Sequence, residues 1–243
     1  MTVITVAGAD LLGAAMVDFT AGRSGPLWLR VASGSRVEHE VAAYFAPVAA
    51  EEQALLDLAD GPVLDVGCGP ARHARLLQAR GLVTIGLDRS PLALGVARSL
   101  GLRRWVQADA RNGPLPAVRT ALLLDGNLGL AGTPAQARRL LHRLARACGP
   151  GGRLLVGGRS PHNGRLCSLV VRDEYRDQVG PWRRWLQAGL PALLDLAAPA
   201  GWRLEHSVRA SSRYWAAFIL DPTLCVRQPE NPPGGAAAAT SGR

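Results

Sequence analysis

Lysine is absent from this chain: all 28 basic residues are arginine. Alongside so much alanine, glycine and leucine, that bias points to GC-rich coding rather than to a demand for guanidinium chemistry. Cysteine is scarce as well. Cys68, Cys148, Cys167 and Cys225 show no C-x-x-C spacing and no evident framework, so a disulfide scaffold is not expected and a reduced, cytoplasmic protein is. No metal is expected. No apolar run reaches the ~18 residues that a membrane-crossing helix needs, so no membrane partner is expected either. The apolar N-terminal stretch includes Asp10 and has no basic residue before Arg23, unlike a secretory signal.

At 243 residues the chain is long enough for one α/β domain with a full core. Residues 1–49 are too few for a second domain with its own chemistry and read as a helical or lid segment. The net charge of +9 and pI of 10.8 would ordinarily point to a polyanion. However, Arg139, His142, Arg143 and Arg146 recur at helical spacing opposite Leu140, Leu141, Leu144 and Cys148, which describes a solvated helix face. Nucleic acid is therefore not the expected partner, and the oligomeric state is left open. Residues 223–243, with a Pro-Pro-Gly-Gly step and an alanine run, read as a disordered tail.

The most informative stretch is Val63-Leu64-Asp65-Val66-Gly67-Cys68-Gly69-Pro70-Ala71-Arg72. A short apolar strand runs into an aspartate, then a Gly-x-Gly turn, then a helical pattern over residues 72–80. Such a turn brings backbone N–H groups and a helix N-terminus to a ligand, and glycine lets the ligand approach where a Cβ would collide. Asp65 can accept hydrogen bonds from a cationic or hydroxylated ligand. A dinucleotide fingerprint, G-x-G-x-x-G, is the rival reading, but Arg72 stands at its third glycine.

Later strands carry the remainder of a site. Residues 82–87 read as a second strand closing on Asp88-Arg89, where a carboxylate can take both hydroxyls of a ribose. Ser90 and Pro91 open a helix. A third strand, 104–108, ends on Asp109-Ala110, and a fourth, 121–124, on Asp125-Gly126-Asn127. Thr133 and Pro134 open another helix before a fifth strand at 153–156. Residues 182–196 read as a helix interrupted by Pro191, residues 18–30 as loop and 37–45 as helix. Residues 202–208 and 214–220 read as an antiparallel pair, with His206 on the core face. The alternation of strand and helix predicts an α/β fold whose ligands bind outside the carboxyl ends of parallel strands.

Asp65, Gly67, Gly69 and Ala71 resemble motif I of the class I S-adenosylmethionine (SAM)-dependent methyltransferases, acidic-x-Gly-x-Gly-x-Gly, with alanine at the third glycine. The resemblance extends over about residues 50–220. It implies a Rossmann-like, seven-stranded, mostly parallel sheet with a C-terminal antiparallel strand pair and helices on both faces. It also implies SAM as cofactor, a SAM-binding domain over residues 50–222, and a small-molecule methyl acceptor. By the same resemblance Asp65, Gly67, Cys68 and Gly69 form the cofactor turn, Asp88 and Arg89 the ribose end, Asp109 and the Ala110 N–H the adenine edge, and Asp125 and Asn127 at the fourth strand's end are further cofactor-binding residues. The segment ahead of motif I would fold over the donor, with Tyr44 and Trp28 as stacking faces and Arg30 on the methionine carboxylate. Ordinary packing of those aromatics is the alternative. Asn231-Pro232-Pro233 matches part of a motif of amino-methylating nucleic-acid enzymes, but that motif belongs where this chain has Asp125-Gly126-Asn127.

Methyl transfer from a sulfonium is an in-line displacement, so the protein mainly positions, and a general base is required only if the acceptor carries a proton at its working pH. His162 is the candidate base. An RNA or protein methyltransferase of the same fold, or a non-catalytic SAM- or nucleoside-binding protein, are the alternatives.

Overall fold

The computed structural model describes residues 4–5, 10–23, 25–159 and 166–223. The chain begins with β1 (Ile4–Thr5), α1 (Leu11–Thr20), β2 (Leu27–Val31), β3 (Arg36–Glu38) and α2 (Ala50–Leu56). An alternating stretch follows: β4 (Val63–Val66), α3 (Arg72–Ala79), β5 (Thr84–Asp88), α4 (Pro91–Ser99), β6 (Trp105–Gln107), β7 (Thr120–Leu123), α5 (Pro134–Cys148) and β8 (Arg153–Arg159). Then come β9 (Cys167–Tyr175), β10 (Gln178–Val179), β11 (Arg183–Gln187), α6 (Leu190–Ala197), β12 (Trp202–Ala210) and β13 (Arg213–Leu220).

The main sheet has seven strands in the order β12-β13-β8-β7-β4-β5-β6. Strands β4 to β8 run parallel, and β13 is antiparallel to both β8 and β12, as the sequence predicts. Every residue of β4 and β7 is buried, the mark of central parallel strands covered on both faces. Alternate side chains serve opposite layers. Leu64, Val66 and Leu123 pack with Leu140 and Leu144 of α5 and Leu193 of α6. Val63 and Leu122 pack on the other face with Leu55 and Leu56 of α2 and Leu77 of α3. Each such side chain contributes roughly 1.5–3 kcal/mol on burial. The helix starts are built as read: the Ser90 hydroxyl accepts from the Ala93 N–H at 2.8 Å and Thr133 from Gln136 at 3.3 Å, each with proline at the first turn. On α5, Arg139, His142 and Arg146 face solvent.

One face assignment is corrected. His206 is exposed, not in the core, because the β12–β13 register shifts between Leu204 and His206. A bulge of that kind moves the residues beyond it to the other face.

The larger correction is a second, six-stranded sheet that the periodicity does not reveal. Its order is β1-β10-β9-β2-β3, with β11 also paired to β9. Residues 27–31 are a strand rather than loop, 36–38 a strand rather than helix, and 183–187 a strand followed by α6 rather than one broken helix. Pro191 lies in the first turn of α6 and so begins that helix. What decides these segments is long-range pairing: β2 lies antiparallel to β9 from Leu27↔Tyr175 to Val31↔Val171, and β11 pairs β9 from Arg183↔Val171 to Gln187↔Cys167. Pairing partners distant in sequence override weak local preference.

Two links fasten this sheet to the main one. Helix α1 lies against α4 and β9, and Asp10 at its N-cap accepts both the Gly13 N–H and the Ser90 hydroxyl. On the other side β11 packs over the 3-10 turn Asn127–Ala131, where a Cβ on Gly129 would overlap the Trp185 indole. Gly129→Ala should therefore destabilise the protein by about 1–3 kcal/mol through overpacking, lowering the melting temperature by roughly 3–10 °C. Thermal denaturation followed by circular dichroism checks this; an unchanged melting temperature would show that β11 is not seated on that turn.

Candidate active site

The chain leaves β4 at Val66 and turns through Gly67 (φ +71°) and Gly69 (φ +54°), conformations that favour glycine. A Cβ on Gly67 would also stand 2.7 Å from Leu130 and 3.0 Å from Asn127. The turn is clamped from two neighbouring strands. The Gly67 N–H donates to the Leu87 carbonyl at 2.7 Å, and the Gly69 N–H to Asp88 Oδ2 at 2.9 Å. Asn127 Nδ2 donates to the Val66 and Gly67 carbonyls at 2.8 and 3.0 Å. Ala71, at the motif's third glycine, keeps the left-handed backbone (φ 63°) while fully buried. That conformation costs a non-glycine residue on the order of 1 kcal/mol, which the surrounding packing holds in place. Burial pushes the Cys68 thiol well above its ordinary range, so it stays protonated.

A cleft of about 420 Å³ opens beyond the strand ends, lined by Gly67, Asp88, Arg89, Asp109, Ala110 and Leu130 and roofed by Arg183, Arg184 and Trp185 of β11. A narrow recess of about 20 Å³ continues past Gly67 and is lined by Tyr44, Asp65, Cys68, Arg72, Asp125 and Asn127. The structure thus gathers the residues nominated from the sequence at these spaces or in the turn between them, with three exceptions: Trp28, which lines neither space and lies under the Arg36 guanidinium at 4.1 Å, Arg30 and His162. Arg30 lines neither space: its guanidinium holds Glu174 of β9 at 2.6 Å, alongside Arg172 at 2.9 Å and Arg36 at 3.4 Å. His162 lies outside the described residues. Sequence reasoning missed Leu130, Arg111 and Trp185. The glycine-rich run 126–132 after β7 was the available signal for Leu130; nothing local pointed to Trp185.

The site's charges are unevenly satisfied. Asp88 accepts the N–H groups of Gly69 and Ser90, each at 2.9 Å; burial still raises its pKa, against those bonds. Asp109 is gripped by Arg111, at 2.6 Å from Nη2, which lowers its pKa. Asp65 is 1% exposed, its Oδ2 has no hydrogen-bond partner among the described residues, and burial pushes its pKa up to about 6. Beside it Arg72 bridges Glu52 and Asp125, each at 3.0 Å, and Asp125 itself sits in a left-handed conformation at φ 52°. Burial opposes ionisation of Glu52, yet neighbouring His73 and the Arg72 charge hold its carboxyl at about 2. Glu52, His73 and Asp125 present ligand atoms within 4.8 Å of one another, but Arg72 already supplies the cation there.

Arg72 offsets Glu52 and Asp125, whereas Asp65 and Asp88 have no ion-pair partner among the described residues, so the turn keeps two carboxylates open to a cationic or hydroxylated group. The cleft and the recess meet at Gly67, with Asp65 in the recess and Asp88 and Asp109 along the cleft.

Comparison with known proteins agrees. Residues 63–152 match a family model described as a methyltransferase domain. A SAM-dependent methyltransferase from Bacteroides fragilis, solved with S-adenosyl-L-homocysteine, is similar at 23% identity and a TM-score of 0.77, over 87% of this chain and 95% of that one. The CcbJ methyltransferase of Streptomyces caelestis is similar at 16% identity and a TM-score of 0.56, over 73% and 92%. A Burkholderia thailandensis 1,6-didemethyltoxoflavin-N1-methyltransferase, solved with that compound and S-adenosylhomocysteine, is similar at 20% and 0.52, over 65% and 70%. The fold is that of the class I SAM-dependent methyltransferases. Among the described residues no helix is long and apolar enough to cross a membrane.

Because folding holds Glu52 near 2 against an ordinary value of 4.5, its ionisation stabilises the protein above about pH 4.5, and that contribution drains away as pH falls toward 2. The shift corresponds to roughly 3 kcal/mol. Denaturant titrations of wild type and Glu52→Gln should show a stability gap at pH 7 that begins to shrink below about pH 4.5 and is nearly gone near pH 2. A gap independent of pH would contradict the buried ion pair.

Proposed function

We propose that this chain transfers the methyl group of SAM to a small-molecule acceptor. The observation that carries the reading is the buried, unpartnered Asp65 Oδ2 beside a glycine turn, with polar groups from adjacent strand ends along one cleft. When bound, SAM supplies a methyl group already activated by the positive sulfonium.

In this reading Asp65 accepts from the ammonium group of the donor, and Gly67 to Gly69 let its chain lie against the backbone. Asp88 takes the ribose hydroxyls on lone pairs not used by Gly69 and Ser90, and the Ala110 N–H and Asp109 face the adenine edge. Arg72, rather than Arg30, is the guanidinium beside the recess and the one suited to a carboxylate. Tyr44 closes the recess; its hydroxyl is held by His39 at 2.7 Å, and burial raises its pKa. Residues 1–49 cover the donor, and residues 50–222 carry the transfer domain. The acceptor's lone pair forms the new bond to the methyl carbon as the carbon–sulfur bond breaks and its pair stays on sulfur. Any acceptor proton leaves to solvent or to a base. The Burkholderia structure, a methyltransferase solved with 1,6-didemethyltoxoflavin bound, supports the acceptor class.

Titration calorimetry should show binding of S-adenosylhomocysteine and much weaker binding of NAD. The reverse order would refute the reading. Asp88→Ala should weaken S-adenosylhomocysteine binding about ten- to hundredfold, the worth of charge-assisted hydrogen bonds at ~1.5–3 kcal/mol.

The pH dependence is also set. Asp65 must lose its proton to face an ammonium group, and its raised pKa of about 6 means that affinity climbs as pH rises from 5 toward 6 and levels off above. Asp65→Asn should bind weakly with that climb removed. The same climb persisting in Asp65→Asn would place the titrating group elsewhere.

A further inference from the structure

A separate cavity of about 100 Å³ opens beside the cleft at the carboxyl ends of β7 and β8. Its walls include Asp125, Arg159, Trp185, Gln187, Arg213 and Tyr214. Trp185 lines both this cavity and the main cleft, so one indole stands between them, and Asp125 is shared with the recess beyond Gly67. The cavity is thus next to both ends of the donor site.

Register brings like charges together here. Arg159 of β8 and Arg213 of β13 are direct cross-strand partners. Side chains so opposed share one face with Cβ atoms ~5 Å apart, where like charges repel. The local carboxylates do not balance them. Asp125 is already held by Arg72 at 3.0 Å, and Arg213 reaches Asp125 and Glu52 only at 3.6 and 3.7 Å. Arg159 has no carboxylate partner among the described residues, and residues 160–165, Ser-Pro-His-Asn-Gly-Arg, contain no acid. The Tyr214 hydroxyl donates to the Ala188 carbonyl at 2.9 Å, so the ring adds apolar wall.

We propose that this cavity is the acceptor pocket and that the acceptor carries an oxyanion, carboxylate or phosphate, held between Arg159 and Arg213 with its apolar part against Trp185. The inference rests on the methyl-transfer reading above. An oxyanion placed there relieves the repulsion of the arginine pair and accepts charge-assisted bonds from both forks, a geometry that arginine matches and lysine does not. The size of the cavity suits such a head group, leaving the reacting part of the acceptor to extend past Trp185 toward the donor.

The test is calorimetry on the full chain saturated with S-adenosylhomocysteine. The anionic probes are 4-hydroxybenzoate and phenyl phosphate; 4-hydroxybenzamide is the neutral counterpart. At least one anion should bind about tenfold more tightly than the amide, and whichever is favoured identifies the oxyanion. Arg159→Gln and Arg213→Gln should each weaken that anion about tenfold; Arg159→Gln, whose side chain has no carboxylate partner among the described residues, should do so without a fall in melting temperature. No preference for either anion over the amide, including the absence of binding by all three, would overturn the proposal. So would wild-type anion affinity in both variants. A wild-type protein that fails to bind S-adenosylhomocysteine would instead remove the methyl-transfer reading itself.

Discussion

The hydrogen bond from the Gly69 amide to the Asp88 carboxylate joins the two halves of the site, and most of the surrounding structure keeps it in place. Asp88 ends β5 and Gly69 lies in the turn after β4, so the bond ties two adjacent parallel strands at the edge where ligands bind. Asn127, after β7 on the other side of β4, grips the carbonyls of Val66 and Gly67. The turn is therefore held before any ligand arrives, and a preorganised cradle loses less conformational freedom on binding. Among the described residues the recess beside the turn keeps one buried carboxylate oxygen without a partner, Asp65 Oδ2, together with the donors Arg72 Nε and His73 Nε2.

The second sheet depends on the same region. Asp88 accepts the Ser90 N–H, Ser90 donates its hydroxyl to Asp10, and Asp10 caps α1. Met16 of α1 and Tyr44 in turn lie over Gly69. On the opposite side β11 crosses the 127–131 turn with Trp185 against Gly129. The sheet that covers the cleft is thus fastened at both flanks to residues that shape it. Three of its arginines meet Glu174 within that layer, while Arg183 and Arg184 of β11 face the cleft.

The cradle was legible in the sequence because its determinants are local. Asp65, the two glycines, Asp88, Asp109 and Asp125 each follow a short apolar strand, and parallel topology brings strand ends together without further information. The covering sheet was not legible, since β2 becomes a strand only by pairing with β9 far along the chain, and β11 only by pairing with that same strand. Arg30 shows the consequence. A basic residue ahead of motif I reads as a ligand anchor until β2 is placed beside β9, where Glu174 claims it. His206 failed for a smaller reason, one bulge in an otherwise regular hairpin. Trp185, which divides the cleft from the arginine-lined cavity, carried no signal because its position follows from β11 alone.

The central claim is that a pre-formed glycine cradle is covered from two sides by a sheet assembled from distant segments. Hydrogen exchange with and without S-adenosylhomocysteine tests it most directly. Ligand-dependent protection is expected together at residues 67–69, at 88–90, along α1 and across β11, because the donor would bridge the cradle to its covers. Protection confined to the turn, with α1 and β11 exchanging as before, would contradict the account and leave the second sheet as packing alone.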